Sequence, residues 1–89
     1  MVIFVFTKKS EKCFLSLPVV VQERILVKLK ALKKHDDIFS VLKKLHHLEP
    51  ATHRLRIGGY RLILELNEHK KGFIRFLVLD VGDRKDIYK

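Results

Sequence analysis

The chain has 89 residues, 47% apolar and 33% charged, with a formal net charge of +9 and a single cysteine. That length supports one domain, 1–89, with one modest core and no large enclosed cavity, and one thiol excludes an internal disulfide or a cysteine-rich metal site. The excess of cations draws the chain toward polyanions, whether nucleic acid, an anionic membrane surface or an acidic protein segment; a basic soluble surface with no such ligand is the plainer alternative.

The N-terminal residues MVIFVFTKK lack the basic n-region, the long apolar run and the small-residue cleavage site of a signal peptide. Nothing approaches the ~20 apolar residues of a membrane span. Cys13 lies in the apolar stretch KCFL and is read as a buried structural residue. The expectation is a cytoplasmic protein with no membrane partner.

Val2 to Thr7, VIFVFT, is rich in β-branched and aromatic residues and reads as a strand buried on both faces. Glu11 to Leu15 allow a short helix, joined through Ser16 and Leu17 to a longer one. In the longer segment Val21, Ile25, Leu29 and Leu32 form one apolar stripe, which Leu26 widens, and Pro18 suits its first turn. Asp36-Asp37 offers an N-cap for a further helix whose apolar residues are Ile38, Val41, Leu42, Leu45 and Leu48. Pro50 ends it, and Glu49 is the expected boundary because a residue before proline is pushed out of the α region.

The period then becomes two. HRLRI and YRLILEL alternate around Gly58-Gly59, a strong hairpin signal. NEHKKG makes a looser turn into FIRFLVLDV, Gly82 is expected to break that strand, and the tail RKDIYK is expected to add a short edge strand. The elements follow the order β-α-α-β-β-β. The fold class is α+β: a small antiparallel sheet of about four strands, with two or three N-terminal helices packed on one face.

With Gly58-Gly59 as the turn, Ile57 pairs with Tyr60, Arg56 with Arg61, Leu55 with Leu62, and Arg54 with Ile63. Alternation then puts Leu55, Ile57, Tyr60, Leu62, Leu64 and Leu66 on the face toward the helices, and Arg54, Arg56, Arg61, Ile63 and Glu65 on the other. Like charges set directly across a pair of strands are unfavourable by a few tenths up to ~1 kcal/mol, and Glu65 neutralises one of them at most. The arrangement is explained by an anion on that face, since the planar guanidinium suits phosphate. A solvated outer face is the alternative, although such a face usually mixes signs.

Two segments, RLRIGGYRLILEL and LDVGDRKDIYK, resemble the RelE/ParE superfamily of bacterial and archaeal type II toxins. The first is similar to that family's R-L-R-x-G-x-Y-R-L-x-Y pattern and the second to its closing V-G-x-R-x-x-x-Y pattern. The resemblance extends over nearly the whole chain. It implies a small antiparallel sheet with two N-terminal helices and, in RelE-like members, ribosome-dependent cleavage of mRNA. There the ribose 2′-hydroxyl attacks the scissile phosphate and the 5′-hydroxyl leaves, with no metal and no cofactor.

Motif by motif, the resemblance puts Arg61 at the phosphate-binding arginine and Arg84 at the arginine serving the leaving group. Tyr88 falls at the C-terminal tyrosine that stacks on a base or assists the 2′-hydroxyl. Arg54 falls where efficient cleavers carry a lysine. Arg56 and Lys85 are expected to bind RNA phosphates beside them. A second lysine of the strong nucleases would fall at Thr52 or His53, and neither is lysine. A guanidinium hardly releases its proton, so Arg54 is a poor general base. His53 titrates near neutrality, but alternation puts it on the face opposite Arg54. His46 and His47 are adjacent and point apart on a helix, so no metal set is expected.

Three functions remain open: an mRNA endoribonuclease acting on the ribosome, a ParE-like inhibitor of DNA gyrase without nuclease chemistry, and a non-cleaving homologue acting in operon autorepression. Each implies a cognate antitoxin protein as partner. The first adds the ribosome and mRNA, and the second adds gyrase.

Overall fold

The computed structural model describes residues 1–83. The N-terminal apolar run forms strand β1 (Val2–Phe6), which pairs in parallel with the last described strand, β5 (Phe73–Asp83), setting Val2 opposite Ile74 and Phe6 opposite Val78. Between them in sequence lie β2 (Lys43–Lys44), β3 (His53–Ile57) and β4 (Tyr60–Lys70). The five strands make one sheet in the order β1-β5-β4-β3-β2, with every pairing except β1–β5 antiparallel. The α+β class and the expected order hold, but the sheet is mixed and gains a strand. A continuous apolar run signals burial and carries no information on strand direction. Nor is β1 buried on both faces: Val2 enters the core and Phe4 and Phe6 pack against it, while Val5 is exposed, because helices cover one face only.

Helix α1 (Lys8–Leu15) starts earlier than its apolar residues suggest, because Thr7 caps it. The Thr7 hydroxyl accepts from Ser10 N at 3.2 Å and reaches the Val78 carbonyl of β5 at 3.3 Å, so one side chain supplies a helix cap and ties the helix start to the sheet. Cys13 is half-buried on α1. Helix α2 (Val19–Leu32) follows Pro18, with Gln22 Nε2 donating to the carbonyls of Leu15 and Leu17 across the joint. Ile25, Leu29 and Leu32 of α2 are buried against Leu55, Leu62, Leu64, Phe76 and Val78 of the sheet. Each such side chain, fully withdrawn from water, contributes about 1.5–3 kcal/mol. Val21 packs at the margin of this cluster. Leu26 does not widen the stripe: it is 51% exposed, and Val19, Val20 and Val27 are also exposed.

The helix expected from Asp36 to Glu49 does not form. A single 3-10 turn covers Ile38–Val41, Leu42 is extended, and Lys43–Lys44 pair with Arg54 and His53 as β2. Asp37 makes no side-chain cap; its carbonyl accepts instead from Ser40 Oγ at 2.7 Å. His47 has a φ of 61°, outside the helical region. The helical spacing of apolar residues loses to the open edge of β3, whose backbone groups take a partner strand. Ile38 alone of that apolar set is fully buried, whereas Val41 and Leu48 stay exposed.

The β3–β4 hairpin turns at Gly58 (φ 61°) and Gly59, and the β4–β5 hairpin at Lys71-Gly72 (Gly72 φ 79°). Gly82 does not end β5; it continues the strand opposite Arg61. The β4–β5 register slips between Ile63 and Leu64 and again between Leu66 and Glu68, leaving Leu79 and Asn67 as the extra residues. The bulge at Leu79 lets both Val78 and Val81 point into the core.

Candidate functional site

The hairpin register is the expected one: His53↔Leu64, Arg54↔Ile63, Leu55↔Leu62, Arg56↔Arg61 and Ile57↔Tyr60. Leu55, Ile57, Leu62 and Leu64 are buried beneath the helices. The register therefore turns Arg54, Arg56, Arg61 and Ile63 to the outer face of the sheet. Arg56 is exposed and Arg54 half-buried, while Arg61 is only 8% exposed. A guanidinium so withdrawn from water is held in place rather than swept through solvent, which suits it to a fixed anion-binding role. Across from it on β5 stands Gly82, which adds no side chain to the outer face.

Glu65 shares the outer face but sits four residues along β4 from Arg61, about 13 Å away at the rise of a strand. Asp80, opposite Ile63 and so diagonal to Arg61, accepts from Val81 N through Oδ1 at 2.9 Å, and its Oδ2 lies 3.9 Å from Lys9 Nζ. Glu68 takes Arg75 at 3.7 Å and Lys70 at 3.6 Å at the far end of the sheet. Among the described residues Arg56 makes no ion pair.

One cation absent from the expected site joins it, and a second lies at the hairpin turn. Lys43 is exposed, and its Cα partner is Arg54, so it lies on the outer face at the end of the arginine row. A helical reading of 36–49 hid this, since only the β2–β3 pairing reveals it. Arg24 of α2 rests against the hairpin turn: a Cβ built on Gly58 would lie 3.7 Å from its Nη1. Its position four residues after Val20 and one before Ile25 gives no hint of that contact.

His53 takes the inner face, as the alternation requires. Its ring packs between Phe39 (5.4 Å) and Phe76 (5.6 Å), and Nδ1 lies 2.8 Å from Thr52 Oγ1. Burial, and then the charge of Lys44, lower its pKa from 6.5. The imidazole is thus neutral at physiological pH and turned away from the arginines, so it is no proton shuttle for them. Thr52 is also committed to structure, its Oγ1 accepting from Leu66 N at 2.7 Å. Among the described residues no group of three His, Cys, Asp or Glu side chains is arranged to share a cation, and no helix is long and apolar enough to cross a membrane. Arg84, Lys85 and Tyr88, and the expected edge strand of the tail, lie outside the described residues.

No protein-family model and no curated relative matches the sequence. Solved structures do match. A chain of the toxin–antitoxin complex RelBE2 from Mycobacterium tuberculosis is 20% identical with a TM-score of 0.73, over 92% of this chain and 96% of that one. A chain of the RelB-RelE antitoxin–toxin complex from Methanococcus jannaschii is 22% identical with a TM-score of 0.70, over 96% and 95%. The isolated RelE toxin of E. coli is 21% identical with a TM-score of 0.62, over 97% and 89%. At that identity the likeness is one of architecture: this chain has the fold of the E. coli RelE toxin along nearly its whole length.

Proposed function

We propose that the chain is the toxin of a type II toxin–antitoxin pair, and that it cleaves mRNA on the ribosome. The observation that carries this reading is the outer-face row in which Arg56 and Arg61 are direct cross-strand partners and Arg54 lies two residues along the same strand. A like-charge pair with a half-buried third arginine beside it is a poor solvent face and a good receptor for a phosphodiester. Cleavage through a neighbouring hydroxyl needs in-line geometry, charge on the phosphoryl oxygens and proton handling. Arg61, pinned by burial, holds a phosphoryl oxygen, and Arg56 and Arg54 add charge along the strand. Arg84 is assigned to the leaving oxygen, Tyr88 to the base or the 2′-hydroxyl and Lys85 to a flanking phosphate. These three assignments rest on the closing sequence motif.

The partner is an antitoxin, by analogy with the complexes of similar fold. Its inhibitory segment is acidic where it meets the arginine row. It is apolar where it meets exposed side chains such as Val19, Val20, Leu26 and Val27 on α2.

Induction of the chain in growing cells tests this function. Methionine incorporation is expected to stop while thymidine incorporation continues, and primer extension on mRNA is expected to show codon-positioned cuts. Removing a positioned charge costs ~10²-fold or more, so Arg61→Ala and Arg84→Ala should abolish the cuts. Cutting at wild-type level in both would refute the site. Loss of thymidine incorporation instead would favour the gyrase reading, for which arginine rather than lysine at position 54 is the observation in hand.

A further inference from the structure

Among the described residues, the proposed cleavage leaves one chemical requirement without an owner. The 2′-hydroxyl must lose a proton, and the guanidiniums of Arg54, Arg56 and Arg61 do not accept one. The nearby alternatives are committed elsewhere. His53 packs between two phenylalanines on the inner face. Thr52 Oγ1 is taken by the Leu66 amide and the His53 ring. Asp80 holds the Val81 amide and faces Lys9. Glu65 stands about 13 Å along the strand from Arg61, and a carboxylate brought to a phosphodiester repels it.

Lys43 remains. Strand β2 pairs it with Arg54, and the same antiparallel register makes Arg56 its diagonal neighbour on β3. Cβ atoms so related are about 4.5–5.5 Å apart for the direct pair and about 7–8 Å for the diagonal, within reach of a four-carbon stem. Its side chain is exposed on the outer face, and an amine, unlike a guanidinium, exchanges its proton. The charged groups around it are Arg54 and Arg56 from β3 and Lys44 from its own strand, where Lys44 pairs with His53 and so takes the opposite face. We propose that Lys43 is the general base of the cleavage, a role that rests on the endoribonuclease reading above. Its neutral amine takes the proton from O2′, the O2′–P bond forms as the P–O5′ bond breaks, and water protonates O5′. The products are a 2′,3′-cyclic phosphate and a 5′-hydroxyl end, and Lys43 returns its extra proton to the hydroxide left in solvent.

The test is single-turnover cleavage of mRNA on programmed ribosomes by the purified chain, with Lys43→Arg, Lys43→Ala, Lys44→Ala and Arg61→Ala in parallel. Lys43→Arg keeps the charge and removes the base. It should bind ribosomes as wild type does and cut about 10²-fold or more slowly. The wild-type rate should rise with pH, as a neutral amine base requires, and that rise should be lost in both Lys43 variants. Lys44→Ala should cut normally. Thermal melts that overlay wild type exclude a folding defect, as expected at an exposed site. If Lys43→Arg cuts within about twofold of wild type, Lys43 supplies charge alone and the proposal is wrong, with the function intact. If the wild type itself does not cut, the function is wrong and the base assignment falls with it.

Discussion

Replacing Arg56 by Gln should make the protein more stable and less active. Arg56 and Arg61 are Cα partners across β3 and β4, and Arg56 makes no ion pair among the described residues. With the two charges taken as about 6 Å apart, their repulsion is about 0.7 kcal/mol at the dielectric of water, and larger to the extent that the burial of Arg61 thins the solvent between them. For a domain this small, 1 kcal/mol moves Tm by about 4–8 °C. Arg56→Gln should therefore raise Tm by about 3–6 °C in low salt. At 1 M salt the screening length falls to about 3 Å, and the gain should shrink to under about 1 °C. Differential scanning calorimetry of wild type and variant at both salt concentrations measures this, and mRNA cleavage on the same samples should fall. Refutation would be a Tm that drops, or a gain that ignores salt. Either would mean that Arg56 is held by contacts other than the arginine opposite.

Two further perturbations probe the frame around the site. Gly58 has a φ of 61° and a Cβ there meets only Arg24 Nη1 at an ordinary 3.7 Å, whereas a Cβ on Gly59 meets nothing within 4 Å. Gly58→Ala should thus cost about 1–2 kcal/mol from backbone strain alone, and Gly59→Ala clearly less, in paired urea melts. His53 has its folded pKa lowered below 6.5 by burial and Lys44, so the unfolded chain binds that proton more readily. The stability this histidine contributes is full above pH 6.5 and is lost as pH falls through the lowered folded value. His53→Leu should flatten the dependence of Tm on pH in that window, and an unchanged slope would show that another group sets it.

Much of this was legible because the hairpin carries three independent signals that agree. The Gly-Gly turn, the strict alternation of Leu55, Ile57, Leu62 and Leu64, and the arginines between them fix one register. A single slip would have buried Arg54 and Arg56 and exposed the leucines. The segment from Ile38 to Leu48 had no such agreement. Its apolar spacing fits a helix, but the β3 edge needed a partner, and that need is set by tertiary structure. The same blindness hid Lys43, because a residue's place in a site depends on which strand pairs with which. The start of α1 was missed for the opposite reason: Thr7 is a cap by residue type, but its second bond, to Val78, joins residues 71 positions apart.

The architecture explains why function and stability pull against each other here. The described helices lie on one face, so the inner side chains of β3, β4 and β5 consume the core-forming capacity of the chain. The outer face must then be either polar and of mixed sign, which favours the free protein, or single-signed, which favours a ligand. Arg54, Arg56, Arg61 and Lys43 weight this face toward the second course on a chain that already carries +9. On such a surface an arriving anion relieves the repulsion between Arg56 and Arg61. The free energy withheld from folding then appears as affinity, whether the anion is a phosphodiester backbone or an acidic protein segment. Both compete for the same guanidiniums, so an inhibitor that neutralises this row needs no contact with the bond that is cut.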